Sequence, residues 1–75
     1  MQNVKDKVFI ISFGKNLQSI RKLKKMTQEQ LAFDANVPIS QVGRIERGEV
    51  NTTISTVFTL ARALKIHPKT LLDFN

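Results

Sequence analysis

Thr27-Gln28-Glu29-Gln30-Leu31-Ala32-Phe33-Asp34-Ala35-Asn36-Val37-Pro38-Ile39-Ser40-Gln41-Val42-Gly43-Arg44-Ile45-Glu46-Arg47-Gly48, residues 27–48, has the chemistry of two short helices broken by a tight turn. Thr27 followed by Gln30 is a capping box, in which each residue satisfies an orphan backbone donor of the other. Helical spacing then places Leu31, Ala32 and Ala35 on one face. Two of these three residues are alanines, which lets a neighbouring helix cross closely. Asn36 stands where the chain must reverse, and Asn tolerates a left-handed backbone better than other non-glycine residues. Pro38 disfavours a helical Val37 and is accepted in a first helical turn, so the second helix restarts at Pro38 or Ile39.

In that second helix, about Ile39 to Arg47, Val42 and Ile45 face the first helix, and Gly48 supplies the stop. The outer side is expected to show Ile39, Ser40, Gly43, Arg44 and Arg47, with no acid among them. Ser and Arg can hydrogen-bond base edges, Arg bidentately to guanine, and glycine allows close approach. An ordinary helical hairpin with a solvated polar face is the plainer alternative.

The run resembles the helix-turn-helix of the phage repressor and Cro family, the xenobiotic-response-element type. The matching positions are Arg21, Thr27-Gln28, Leu31-Ala32, Val37, Val42 and Ile45-Glu46-Arg47-Gly48, then Leu60, Ala61, Ala63 and Leu64. The match spans about residues 13–72. It implies an all-α fold, a compact lambda-repressor-like bundle of about five short helices. It also implies sequence-specific binding of double-stranded DNA in transcription regulation, with the recognition helix in the major groove. On that resemblance Arg21 and Glu46 form an ion pair tying the first helix to the end of the recognition helix; a plain surface pair is the alternative. Ser40 and Arg44 are then candidates for base-edge hydrogen bonds and Ile39 for apolar contact with a thymine methyl. Gln28, Arg47, Asn51 and Thr52 are candidates for the phosphate backbone. The family usually has proline where this chain has Thr52, and Ser or Thr where it has Pro38, so the recognition helix lacks a side-chain cap at its start.

The composition agrees with a polyanionic partner. Twelve Lys and Arg against six Asp and Glu leave a net charge of +6 in 75 residues, an excess that favours nucleic acid through counterion release. A chain this short is one domain, residues 1–75, and buries only about 60–65% of its unfolded surface, so modest stability or a partner is expected. There is no Cys, which excludes disulfides, thiolate zinc sites and cysteine nucleophiles and agrees with a reducing, cytoplasmic setting. The apolar run Val8-Phe9-Ile10-Ile11 is too short for a signal-peptide core or a membrane span.

Outside the helix pair, residues 1–7 are polar with mixed charge and read as a loose N-terminal arm. Phe9, Phe13, Leu17 and Ile20 then follow helical spacing, and Lys22, Lys24 and Lys25 gather where cations complement a helix C-terminus, as a solvated face or near phosphate. Glu49 to Thr53 reads as a loop. A helix from about Ser55 to Lys65 carries Val57, Leu60, Ala61 and Leu64 inward; Phe58 lies off that stripe, widening the core or forming a subunit interface. His67 suits a cap or surface role, and Pro68 opens a short helix. With no second domain expected, a homodimer interface would draw on Phe58, Leu71, Leu72, Phe74 or the N-terminal arm, as in the small stand-alone regulators of the resembled family, which include restriction-modification controllers and bind two half-sites about one helical turn apart.

The six acids have no His or Cys companion placed for acid-base work, so neither an enzyme, a cofactor nor a metal site is expected. Two other functions fit the same residues. An antitoxin of this fold would bind its promoter and also a toxin as protein partner, and a protein-interaction module would read no DNA sequence.

Overall fold

Phe13, Leu17 and Arg21 recur at every fourth position of one long helix, and that stripe, apolar until its last member, organises the packing. The computed structural model describes residues 4–74. Helix α1 spans Val4–Leu23, α2 Gln28–Ala35, α3 Ile39–Glu46, α4 Ile54–Leu64 and α5 Pro68–Leu71, so the described residues form an all-α fold of five helices. The last four residues of the stretch expected as an arm, 4–7, belong to α1; residues 1–3 of that arm lie outside the described residues.

Most of the helix ends have a local reason. Thr27 accepts from the Gln30 N–H at 3.0 Å while the Gln30 side chain accepts from the Thr27 N–H at 2.8 Å, the reciprocal box expected from sequence. Thr53 caps α4 by accepting from the Thr56 N–H, which begins that helix at Ile54. His67 caps α5 through Nδ1, which accepts from the Lys69 N–H at 3.1 Å. At the other ends one device recurs. Lys25, Asn36, Gly48 and Lys65 all adopt positive φ, between 58° and 73°. The next residue's N–H reaches back five positions in each case: Met26 to Arg21, Val37 to Ala32, Glu49 to Arg44 and Ile66 to Ala61, at 2.9–3.1 Å. This is the Schellman arrangement, which satisfies carbonyls the helix would otherwise leave orphaned.

The core draws on every helix: Phe13 and Leu17 from α1, Leu31, Ala32 and Ala35 from α2, Val42 and Ile45 from α3, Leu60, Ala61 and Leu64 from α4, and Leu71 from α5. Helix α2 packs on both α3 and α4, and its two buried alanines allow both approaches. Burying one Leu in such a core contributes about 1.5–3 kcal/mol. Leu71, expected at a subunit interface, is instead fully buried. It joins the apolar core, and Asn16 Nδ2 donates to the Thr70 and Leu71 carbonyls at 3.1 and 2.9 Å, tying the end of α5 to α1. Phe74 turns back as well, its ring 5.0 Å from Phe9 and 6.5 Å from Phe13.

Gly14 makes the crossing of α1 and α3 possible. A Cβ at this position would collide with the Ile45 carbonyl oxygen and lie 2.8 Å from that of Glu46. Both obstacles are backbone and cannot rotate away. In an ordinary helix interior Gly→Ala gains about 1 kcal/mol of helix propensity; here Gly14→Ala is expected to lose stability instead, by about 1–3 kcal/mol or more. Urea denaturation of the two chains checks the sign, and a stabilised variant would show that α1 and α3 do not approach this closely.

Candidate nucleic-acid interface

Helix α3 has one sealed side and one open side. Val42 and Ile45 are buried, whereas Ser40 and Arg44 are exposed and Ile39 is 47% exposed. The helix ends at Glu46, and Arg47 is its C-terminal cap residue rather than its last helical residue. Pro38 caps the start in extended conformation with no side-chain hydrogen bond, its carbonyl accepting from the Gln41 N–H at 3.0 Å. Gly43, expected on the open side, is buried. The Arg47 and Gln28 side chains cover it: a Cβ there would lie 3.0 Å from Arg47 Nη1 and 3.6 Å from Gln28 Oε1.

The sealed side is held by charge as well as by packing. Arg21 Nε donates to Glu46 Oε2 at 2.6 Å and Nη2 to Oε1 at 3.0 Å, a bidentate pair with side chains only 9% and 1% exposed. Arg21 Nη1 also donates to the Met26 carbonyl at 2.7 Å. Gln28 Nε2 completes the set, donating to Glu46 Oε1 at 2.9 Å. One carboxylate thereby joins α1, the start of α2 and the end of α3. Arg21 reaches it because it continues the core stripe of α1.

Past Gly48, Glu49 introduces an acid that the sequence pattern did not place beside the open face. Its Oε2 accepts from Arg47 Nε at 2.6 Å and its Oε1 from Nη2 at 3.4 Å, with side chains 59% exposed for Arg47 and 49% for Glu49. The hydrogen bond from Arg47 holds the Glu49 carboxyl below the usual range; desolvation opposes this, and the charges of Arg47 and Arg44 reinforce it. The same hydrogen bond raises the Arg47 guanidinium. In the loop, Asn51 is exposed, while the Thr52 hydroxyl is buried without a hydrogen-bond partner, leaving the backbone amide as the donor Thr52 can offer. Lys22, Lys24 and Lys25 are exposed at the end of α1.

A second, apolar surface adjoins the loop at Asn51 and Thr52. Phe58 and Leu72 are 52% and 47% exposed and border an apolar hollow of about 370 Å³ between α1, α4 and α5. Phe9 and Ile54, 53% and 88% exposed, border it too, although Phe9 shares the helical spacing of the buried Phe13 and Leu17. Arg62 lies over the Phe58 ring at 5.6 Å. Among the described residues, no helix is long and apolar enough to cross a membrane.

A helix clamped on its inner side and presenting Ser and Arg outward, preceded by a capped helix and a left-handed turn, is a helix-turn-helix module, the kind of unit that enters a DNA major groove. Comparison with known proteins agrees. The sequence profile described as Helix-turn-helix matches residues 17–71. Control protein C.BamHI of Bacillus amyloliquefaciens is 38% identical over 63 residues, covering 83% of this chain and 78% of that one. The immunity repressor protein of Bacillus phage phi105 is 41% identical over 56 residues, covering 75% of this chain but 39% of the repressor. The crystal structure of the restriction-modification controller protein C.AhdI from Aeromonas hydrophila superposes with a TM-score of 0.82 at 39% identity, covering 83% of this chain and 94% of that one. The chain belongs to the helix-turn-helix family and is a DNA-binding regulator of transcription.

Breaking one side of a buried ion pair strands the other charge, so Glu46→Ala is expected to cost about 3–5 kcal/mol. Glu46→Gln, which retains hydrogen-bonding atoms, should lose less. Urea midpoints at neutral pH for both variants test this; a Glu46→Ala midpoint near that of the parent chain would mean Arg21 is well solvated without its partner.

Proposed function

We propose that the chain represses transcription as a homodimer on a palindromic operator, with α3 of each copy in the major groove. The observation that carries this reading is the division of α3. Its inner side is fixed by Val42, Ile45 and the Glu46 carboxylate, so the exposed Ser40, Arg44 and Ile39 are presented on a rigid element. Ser40 and Arg44 hydrogen-bond base edges and Ile39 touches a thymine methyl. Gln28, Arg47, Asn51 and the Thr52 amide meet the phosphate backbone and fix register. Gln28 suits this role because Glu46 orients its amide. The net charge of +6 supplies the sequence-independent attraction.

The apolar face around Phe58 and Leu72 supports the second copy. Two-fold pairing places the same patch on both subunits, and the exposed Phe9 and Ile54 enlarge it beyond what the sequence suggested. Leu71 and Phe74 contribute by positioning α5 rather than by direct contact. The controller and immunity-repressor names of the relatives support a regulatory role on the same module.

Selection of bound duplexes from a random pool, at two salt concentrations, tests the reading. Enrichment of a palindrome with half-sites about 10 bp apart is expected; retention that vanishes with salt and enriches no motif would overturn it. At the selected site Arg44→Ala should cost about 1–3 kcal/mol and relax preference at a base, while Gln28→Ala should weaken all sequences evenly. For assembly, Phe58→Glu should give a monomer by light scattering with helical circular dichroism retained. An unchanged dimer would move the interface elsewhere.

A further inference from the structure

Arg47 and Glu49 form the short ion pair beside the proposed phosphate contacts, and the pair has no structural work that would explain it. Both side chains are about half exposed, and an exposed pair of this kind adds little to stability. Its geometry is nonetheless that of anion recognition. Two guanidinium nitrogens point at two carboxylate oxygens, at 2.6 and 3.4 Å, the fork that Arg presents equally to a phosphate. The third nitrogen, Nη1, lies over Gly43 next to the Gln28 side chain. The guanidinium therefore sits among the groups assigned to the DNA backbone while two of its five N–H donors are already taken by an internal anion.

We propose that Glu49 is a specificity-setting residue that occupies Arg47 in the free protein as an internal substitute for phosphate, releasing it only when α3 is seated in its operator. This rests on the assignment of Arg47 to the DNA backbone. In a loose, non-specific complex, nothing obliges the guanidinium to leave Glu49, and one phosphate contact is forgone. At the operator, base contacts hold α3 in the groove, phosphate replaces the carboxylate, and the contact is made. The acid thus subtracts from adhesion to bulk DNA more than from operator binding.

The test compares binding of the parent chain, Glu49→Gln, Arg47→Ala and the double variant to a random-sequence duplex and to the duplex enriched by selection, across a salt series. Glu49→Gln is expected to tighten random-duplex binding several-fold and to steepen its slope of log K against log salt by about 0.9, the signature of one added phosphate contact. Operator affinity should rise less, so the ratio of operator to random binding falls. In the Arg47→Ala background the gain should disappear. A gain that persists there would mean the carboxylate acts by its field alone, and a loss of operator affinity in Glu49→Gln would mean it touches a base; either overturns the proposal. If Arg47→Ala leaves operator binding unchanged, the assignment of Arg47 to the backbone has failed; if it weakens operator binding while Glu49→Gln gives no gain on the random duplex, only the proposal on Glu49 has failed.

Discussion

The buried pair of Arg21 and Glu46 is the constraint on which the DNA-facing geometry depends. Its Glu46 carboxylate accepts from Arg21 and Gln28, and the Arg21 guanidinium also donates to the Met26 carbonyl. Four segments are tied by one cluster: α1, the turn after it, the first turn of α2 and the last turn of α3. A buried ion pair is weak evidence for stability, because desolvation offsets much of the attraction. Its value here is directional. Packing of Val42 and Ile45 would tolerate some rotation of α3 about its axis, but a bidentate pair at its last residue does not. Gly14 belongs to the same constraint, since only a residue without Cβ allows α1 to pass the carbonyls of Ile45 and Glu46 closely.

Helices α1 to α4 are each followed by a left-handed residue that closes them. Eight residues in α2 and eight in α3 leave little room for fraying if the turn between them is to hold its angle. A left-handed residue costs a non-glycine side chain about 1–2 kcal/mol, and the chain accepts this at Lys25, Asn36 and Lys65, using glycine only at Gly48. There the glycine answers two demands. The backbone has φ of 73°, and a Cβ would also lie 2.7 Å from Ile11 Cγ1.

What the sequence revealed and what it hid follow from the range of the forces involved. The capping box at Thr27, the turn at Asn36, the stop at Gly48 and the inward Val42 and Ile45 are local, and their residue types announce them. The pairing of Arg21 with Glu46 came only by resemblance, since nothing between positions 21 and 46 makes two distant charges meet. Gly14, the burial of Gly43, and the turns at Lys25 and Lys65 depend on what another segment does nearby, and their residue types carry no distinct signal. Leu71 and Leu72 show the limit most plainly. In a four-residue helix there is no period to tell which of two adjacent leucines turns inward; that depends on how α5 seats against α1, where Asn16 binds the Thr70 and Leu71 carbonyls.

Glu46 and Glu49 stand three residues apart, each paired with an arginine, yet physics gives them opposite characters. Glu46 is shut away from water, so its partner cannot be exchanged: solvent and phosphate have no path to a side chain 1% exposed. Glu49 is open to water, where ion pairs are weak, screened by salt and easily exchanged for another anion of the same shape. The buried pair therefore suits a fixed hinge of the scaffold, and the exposed pair suits a contact that changes partner when DNA arrives. A single turn of chain past the recognition helix is enough to convert the same chemical pair from one role to the other, because burial, not residue type, sets whether the partner is permanent.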